Sequence, residues 1–84
     1  MNIVGMQPTM VDSESYLDIV ANSIGKLILK VYDTNGRMAK VISSEVSSGL
    51  QQLNINVSDL SDGTYVLNAF NGDIFLKAIK FIKM

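Results

Sequence analysis

Eighty-four residues, 48% of them hydrophobic and carrying a net charge of −1, describe one domain spanning residues 1–84, near the lower size limit for a core held without staples. The charge leaves no global field to attract nucleic acid or an anionic membrane. With neither cysteine nor histidine, the chain has no disulfides, no thiolate nucleophile and no Ser-His-Asp or Cys-ligated zinc chemistry.

Strand periodicity dominates from Tyr16 onward. Before it, "MNIVGMQPTM" lacks the basic region and apolar run of a secretion signal, so an exported form implies a leader on a longer precursor. Pro8, the only proline, suits the end of a ragged first strand. "YLDIV" places Leu17 and Ile19 on one face. "KLILKVY" does the same for Leu27, Leu29 and Val31. "DTNG" (Asp33–Gly36) predicts a hairpin in which Asn35 and Gly36 take positive φ.

The return strand, Arg37–Val46, stops at "SSG". "LNINV" then alternates cleanly, with Leu53, Ile55 and Val57 inward. "SDLSDG" turns a corner into "TYVLNAF", which points Tyr65, Leu67 and Ala69 to one side. "NGD" predicts a second hairpin before "IFLKAIKFIK", the closing strand. Leu76 and Ala78 share one parity there, and Ile79 and Phe81 the other, so a bulge is expected near Ala78–Lys80. Six or seven strands with turn signals every 8–12 residues predict an all-β, antiparallel, Ig-like or Greek-key sandwich. No apolar helical stripe and no run of about 18 apolar residues occurs, so direct membrane insertion by a helix is not expected.

Tyr65 follows a glycine-containing corner and sits just inside a strand. This is the tyrosine-corner arrangement, in which the ring enters the core and the hydroxyl reaches a backbone group of the preceding connection. Leu60 is placed to plug the corner's base.

The residues offer little for catalysis. The acids lie mostly in or beside predicted turns, where Asp caps and turns the chain. A glycosidase pair needs carboxylates facing across a cleft, and so short a chain has little room for one. "DTNG" and "DLSD" lack the ligand series of a calcium loop. Nucleic-acid binding is not expected either, because Phe75 and Phe81 among three lysines are too few at this net charge. The composition therefore reads as a non-catalytic β-module with no cofactor.

Charge is nonetheless uneven. Met1–Gly25 carries only Asp12, Glu14 and Asp18, whereas Ile74–Met84 carries only Lys77, Lys80 and Lys83. Lysines on a last strand read first as a solubilising edge that resists edge-to-edge pairing. The second reading is a docking feature, by strand addition and charge pairing.

Three segments in order carry a family resemblance: "QPTMVDSESYLDIV", "LKVYDTNGRMAK" and "LSDGTYVLNAF…LKAIKFIKM". Together, over about residues 6–84, they resemble the type A C-terminal sorting domain of proteins exported by the type IX, or Por, secretion system of Bacteroidetes. The usual start has a second proline, which Thr9 and Met10 replace here.

The resemblance implies an Ig-like module at the tail of a larger secreted cargo. Its implied partners are an outer-membrane translocon that recognises the domain and a sortase-like cysteine protease that removes it. The implied route is the periplasm in transit, then the cell surface or the medium. By the same resemblance Gly36 and Gly63 are the family's turn glycines, Asp33 its Tyr-Asp aspartate and Tyr65 its corner tyrosine. Lys80, Phe81 and Ile82 fall on its basic-apolar ending. With Lys77 and Lys83 they make the candidate recognition residues, and Pro8, Asp33, Gly36, Leu60, Gly63 and Tyr65 make the structural frame. The alternative is a fibronectin-type or carbohydrate-binding accessory module using Tyr32, Phe70 and Phe75, three rings expected to be scattered. A third reading is a chaperone or scaffold subunit that binds by strand addition.

Overall fold

The computed structural model describes residues 1–84 and contains eight strands and no helix. They are β1 (Asn2–Gln7), β2 (Met10–Val11), β3 (Glu14–Ala21), β4 (Gly25–Asp33), β5 (Met38–Val46), β6 (Gly49–Asn56), β7 (Gly63–Asn71) and β8 (Ile74–Lys83). They form a three-stranded sheet, β1-β3-β6, and a five-stranded sheet, β2-β8-β7-β4-β5. With β1, β3 and β6 in the places of A, B and E, and β4, β7 and β8 in those of C, F and G, this is an immunoglobulin-type sandwich.

The alternation expected from the sequence is realised. Leu17, Ile19, Leu27, Leu29, Val31, Ile55, Val57, Leu67 and Ala69 are fully buried between the sheets. They belong to a single core of 16 residues that also takes in Ile3, Met6 and Val11. Burying a Leu, Ile, Val or Phe stabilises by roughly 1.5–3 kcal/mol relative to leaving it exposed. The fold therefore rests on these two inner faces.

Several expectations needed correction. The strands number eight because the opening residues contribute two, and the pairing is not wholly antiparallel: β2 runs parallel to β8, with Met10 opposite Ile82 and Val11 opposite Lys83. β1 stops at Gln7, immediately before Pro8, and β2 begins in the other sheet. Pro8 thus marks a switch between sheets. Its carbonyl accepts the hydroxyl of fully buried Ser15 at 2.7 Å, which satisfies both groups.

The bulge in β8 falls at Leu76 and not at Ala78–Lys80, because Ala69 pairs with Lys77 while Phe70 pairs with Phe75. The extra residue re-aims the strand two positions earlier than parity alone suggests. In the β4–β5 hairpin only Gly36 has positive φ, at 78°, and Asn35 does not. The Gly36 amide donates to the Asp33 carbonyl (3.1 Å) and the Asp33 amide to the Arg37 carbonyl (2.9 Å). This is a three-residue loop with glycine at the left-handed position, where one positive-φ residue is enough. The β7–β8 loop, Gly72–Asp73, has positive φ only at Gly72, as a II′ turn requires.

Candidate functional site

The three sequence segments meet at one end of the sandwich. Asp33 on β4 lies opposite Tyr65 on β7, and Tyr65 lies opposite Phe81 on β8, in one cross-strand row. Gly63 pairs with Lys83 beside it, and β2 closes the same end. Residues far apart in sequence thus share a single rim.

Each frame residue has a local physical task. The Asp33 carboxylate accepts the amides of Asn35 (2.9 Å) and Arg37 (3.0 Å), fixing the hairpin. Tyr65 is buried and its hydroxyl donates to the Ser61 carbonyl at 2.7 Å, as a tyrosine corner requires. Leu60 is buried beneath that corner. Gly63 enters β7 at φ 151°, a conformation that L side chains rarely adopt. Across the rim, Lys40 Nζ bridges to both Asp59 oxygens (2.8 and 2.9 Å). That hydrogen bond holds the Asp59 carboxyl below its usual range.

The C-terminal strand divides its candidate residues between two environments. Phe81 is 1% exposed and stacks on Tyr65, with ring centroids 5.5 Å apart and planes at 20°. Its side chain is a core anchor and lies off the accessible surface. Lys83 is also inward and largely buried, its Nζ 3.0 Å from the Met84 carbonyl and 3.9 Å from Asp62. Nor does Lys83 lie on a free edge, since β2 covers β8 there: the Ile82 amide donates to Thr9 and the Met84 amide to Val11, both at 2.8 Å. Lys77, Lys80 and Ile82 are accessible. Period-two alternation turns the backbone groups of Ala78 and Lys80 to the same side as those of Ile82, where no strand follows. The edge of β8 is therefore open from Ile74 to Phe81 and closed at its end.

Lys26, Lys30, Tyr32, Val66, Phe70, Phe75 and Lys80 occupy the outer face of the five-stranded sheet. The pairings Tyr32–Val66–Lys80 and Ile28–Phe70–Phe75 run across it as rows. Tyr32, Phe70 and Phe75 thus share one face and are not dispersed over the surface. They still make no flat platform. Phe70 and Phe75 meet edge to face, at 5.6 Å and 69°, and the Lys30 ammonium sits 4.9 Å over the Phe70 ring. Tyr32 stands four residues along β4 from the Phe70 row, about 13 Å away at strand rise. A sugar ring would find the Phe70 face already occupied.

The widest cleft, bordered by Met6, Pro8, Met10, Tyr16 and Gln52, offers thioether, amide and phenol groups and no acid–base pair. No three acidic residues converge as metal ligands. Asn56-Val57-Ser58 has the Asn-x-Ser spacing of a glycosylation acceptor. The structure ties it into the corner, the Asn56 Oδ1 accepting the Ser58 amide (2.9 Å) and hydroxyl (2.6 Å).

Residues 12–84 match the family model described as the secretion system C-terminal sorting domain. The match begins at Asp12, later than the sequence resemblance suggested, so β1 and β2 precede it. No curated protein and no solved structure matches the chain. The sorting-signal family is non-catalytic, and its members interact with the type IX secretion machinery. On the match over nearly the whole chain, together with the all-β sandwich, this protein belongs to the type IX secretion system C-terminal sorting domain family.

Proposed function

We propose that residues 1–84 act as the sorting tag at the tail of a larger secreted cargo, read by an outer-membrane type IX translocon and then removed by a sortase-like cysteine protease. The cargo passes through the periplasm and ends at the cell surface or in the medium. No catalytic role is assigned to the domain itself. Within the tag, Lys80 and Ile82 are the outward-facing contact residues of the C-terminal strand, and Lys77 is accessible at its edge. Phe81 and Lys83 hold that strand in place from the inner side.

The observation supporting this reading is the convergence of the Tyr-Asp hairpin, the tyrosine corner and the basic-apolar ending on one rim. Phe81 stacks on Tyr65 there, so the last strand is presented by a preformed scaffold, and ordering it at docking costs little.

The test is fusion of the full chain to a periplasmic reporter in a type IX-competent host. The reporter should reach the medium, and it should stay in the periplasm when the host's type IX machinery is disabled. Retention in the competent host would remove the sorting function. Within an exported fusion, Lys77→Glu with Lys80→Glu should reduce export while the fold is retained. Lys83 is unsuitable for this test because its side chain is buried.

A further inference from the structure

Net charge conceals how the lysines are arranged. The strands of the three-stranded sheet carry Glu14 and Asp18 and no basic residue, whereas the five-stranded sheet carries six lysines. Of these, Lys26, Lys30 and Lys80 lie on its outer face, where the only acid is Glu45, opposite Lys26. The two ion pairs of the molecule use Lys40 and Lys83, so Lys30 and Lys80 have no carboxylate partner.

Apolar groups share the face with them: Val66 between Lys30 and Lys80, Val41 beside Lys30 on β5, Ile82 beyond Lys80, and Phe75 in the Phe70 row. Phe75 is 54% exposed, Val41 51%, Ile82 39% and Val66 37%. The shortest dimension of the molecule is 17 Å, about two Debye lengths at physiological salt. The acids of the opposite face therefore barely offset this one.

The free edge of β8 is the less suitable docking element. It carries a bulge at Leu76, and Lys77 lies at an inward-facing register position opposite buried Ala69. β2 covers its end. Bulges, inward-directed lysines and edge covers are the devices by which sheets resist an added strand.

We infer that the outer face of the five-stranded sheet is the docking surface of this tag, and that its occupant is an acidic protein surface. Such a surface would set separate carboxylates against Lys30 and Lys80 and an apolar patch against Val66 and Phe75. This inference rests on the sorting function proposed above, and makes the partner a protein of the export machinery. The two lysines stand about 12 Å apart by strand spacing and rise, too far for one carboxylate to serve both. The exposed apolar side chains are carried on the strands of a sheet, whereas an interfacial membrane anchor is an amphipathic helix that buries its apolar face about 5–10 Å into the headgroup boundary. Exposed apolar side chains interspersed with lysines and aromatic rings suit a protein interface, where aromatic residues are enriched and a polar rim surrounds the contact.

The experiment uses the full-chain reporter fusion. A photo-crosslinking residue at Val66 should capture a component of the export apparatus, and the same residue at Asn54, on the outer face of the other sheet, should not. Lys30→Glu with Lys80→Glu should lower both export and the Val66 crosslink at least tenfold. Lys30→Arg with Lys80→Arg should restore them. Glu14→Gln with Asp18→Asn should leave export unchanged. Each variant is checked for an unaltered melting curve.

Export of wild type together with full export of the Lys30→Glu, Lys80→Glu fusion overturns the face and leaves the sorting function standing. Failure of the wild-type fusion to be exported overturns both. Salt-sensitive binding of the purified chain to phosphatidylglycerol vesicles, without a Val66 crosslink, overturns the protein partner in favour of lipid.

Discussion

Removing one oxygen from Tyr65 tests the corner on which the C-terminal strand depends. In Tyr65→Phe the ring keeps its place against Phe81 and only the hydroxyl bond to the Ser61 carbonyl, 2.7 Å long, is lost. A net hydrogen bond contributes about 0.5–1.5 kcal/mol, and a buried acceptor left unpaired costs about 1–3 kcal/mol. Ser61 lies on the exposed side of the corner, so water can take over its carbonyl and the lower range applies, about 1 kcal/mol. Unfolding entropy near 2.1 cal/mol/K per residue turns this into a fall in Tm of about 6 °C for a chain of this size. Thermal denaturation followed by circular dichroism reads the shift directly. Ser61→Ala serves as the control, because it removes a hydroxyl 3.2 Å from Tyr65 Oη while keeping the carbonyl, and it should move Tm less. A Tyr65→Phe variant melting within about 1 °C of wild type would show that the corner bond does not hold the connection.

Other outcomes follow from the same contacts. Phe81→Ala should destabilise by about 3–5 kcal/mol, a large share of the stability of so small a domain, measured by urea denaturation. It should also abolish export of a fusion, since the last strand loses its anchor. Gly36→Ala has open space for the new methyl group but must hold φ at 78°, so its cost is conformational, about 1–2 kcal/mol. Ser15→Ala should cost about 0.5–1.5 kcal/mol, the net worth of its bond to the carbonyl of exposed Pro8, which water can take over, again by denaturant titration. The Asp59 carboxyl is held below its ordinary range by Lys40. Its contribution is therefore complete above the ordinary aspartate range and is lost as pH falls through the lowered value. Asp59→Asn should flatten that acid limb of a Tm–pH curve, and high salt should have a similar effect.

What the sequence determined by itself is the set of strands from Tyr16 onward, their inward faces and the corner. These are local properties. Alternation of Leu27, Leu29 and Val31, or of Tyr65, Leu67 and Ala69, has only one burial consistent with it, and Gly63 and Tyr65 carry the corner within a few residues of each other. The family was legible for the same reason, because its motifs are short and ordered.

Tertiary structure decided what depends on neighbours far away in sequence. β2 is two residues long and has no periodicity to read; only Ile82 and Met84, which donate to Thr9 and Val11, make it a strand. The bulge at Leu76 is set by β7 and not by parity within β8. Phe81 and Lys80 are adjacent in sequence, yet one enters the core and the other faces outward, because Phe81 lies opposite Tyr65 and Lys80 opposite Val66. A net charge of −1 gives no hint that one sheet carries the lysines and the other only acids. That separation arises because pairing assembles β4, β5 and β8 into one layer and leaves β3 in the other.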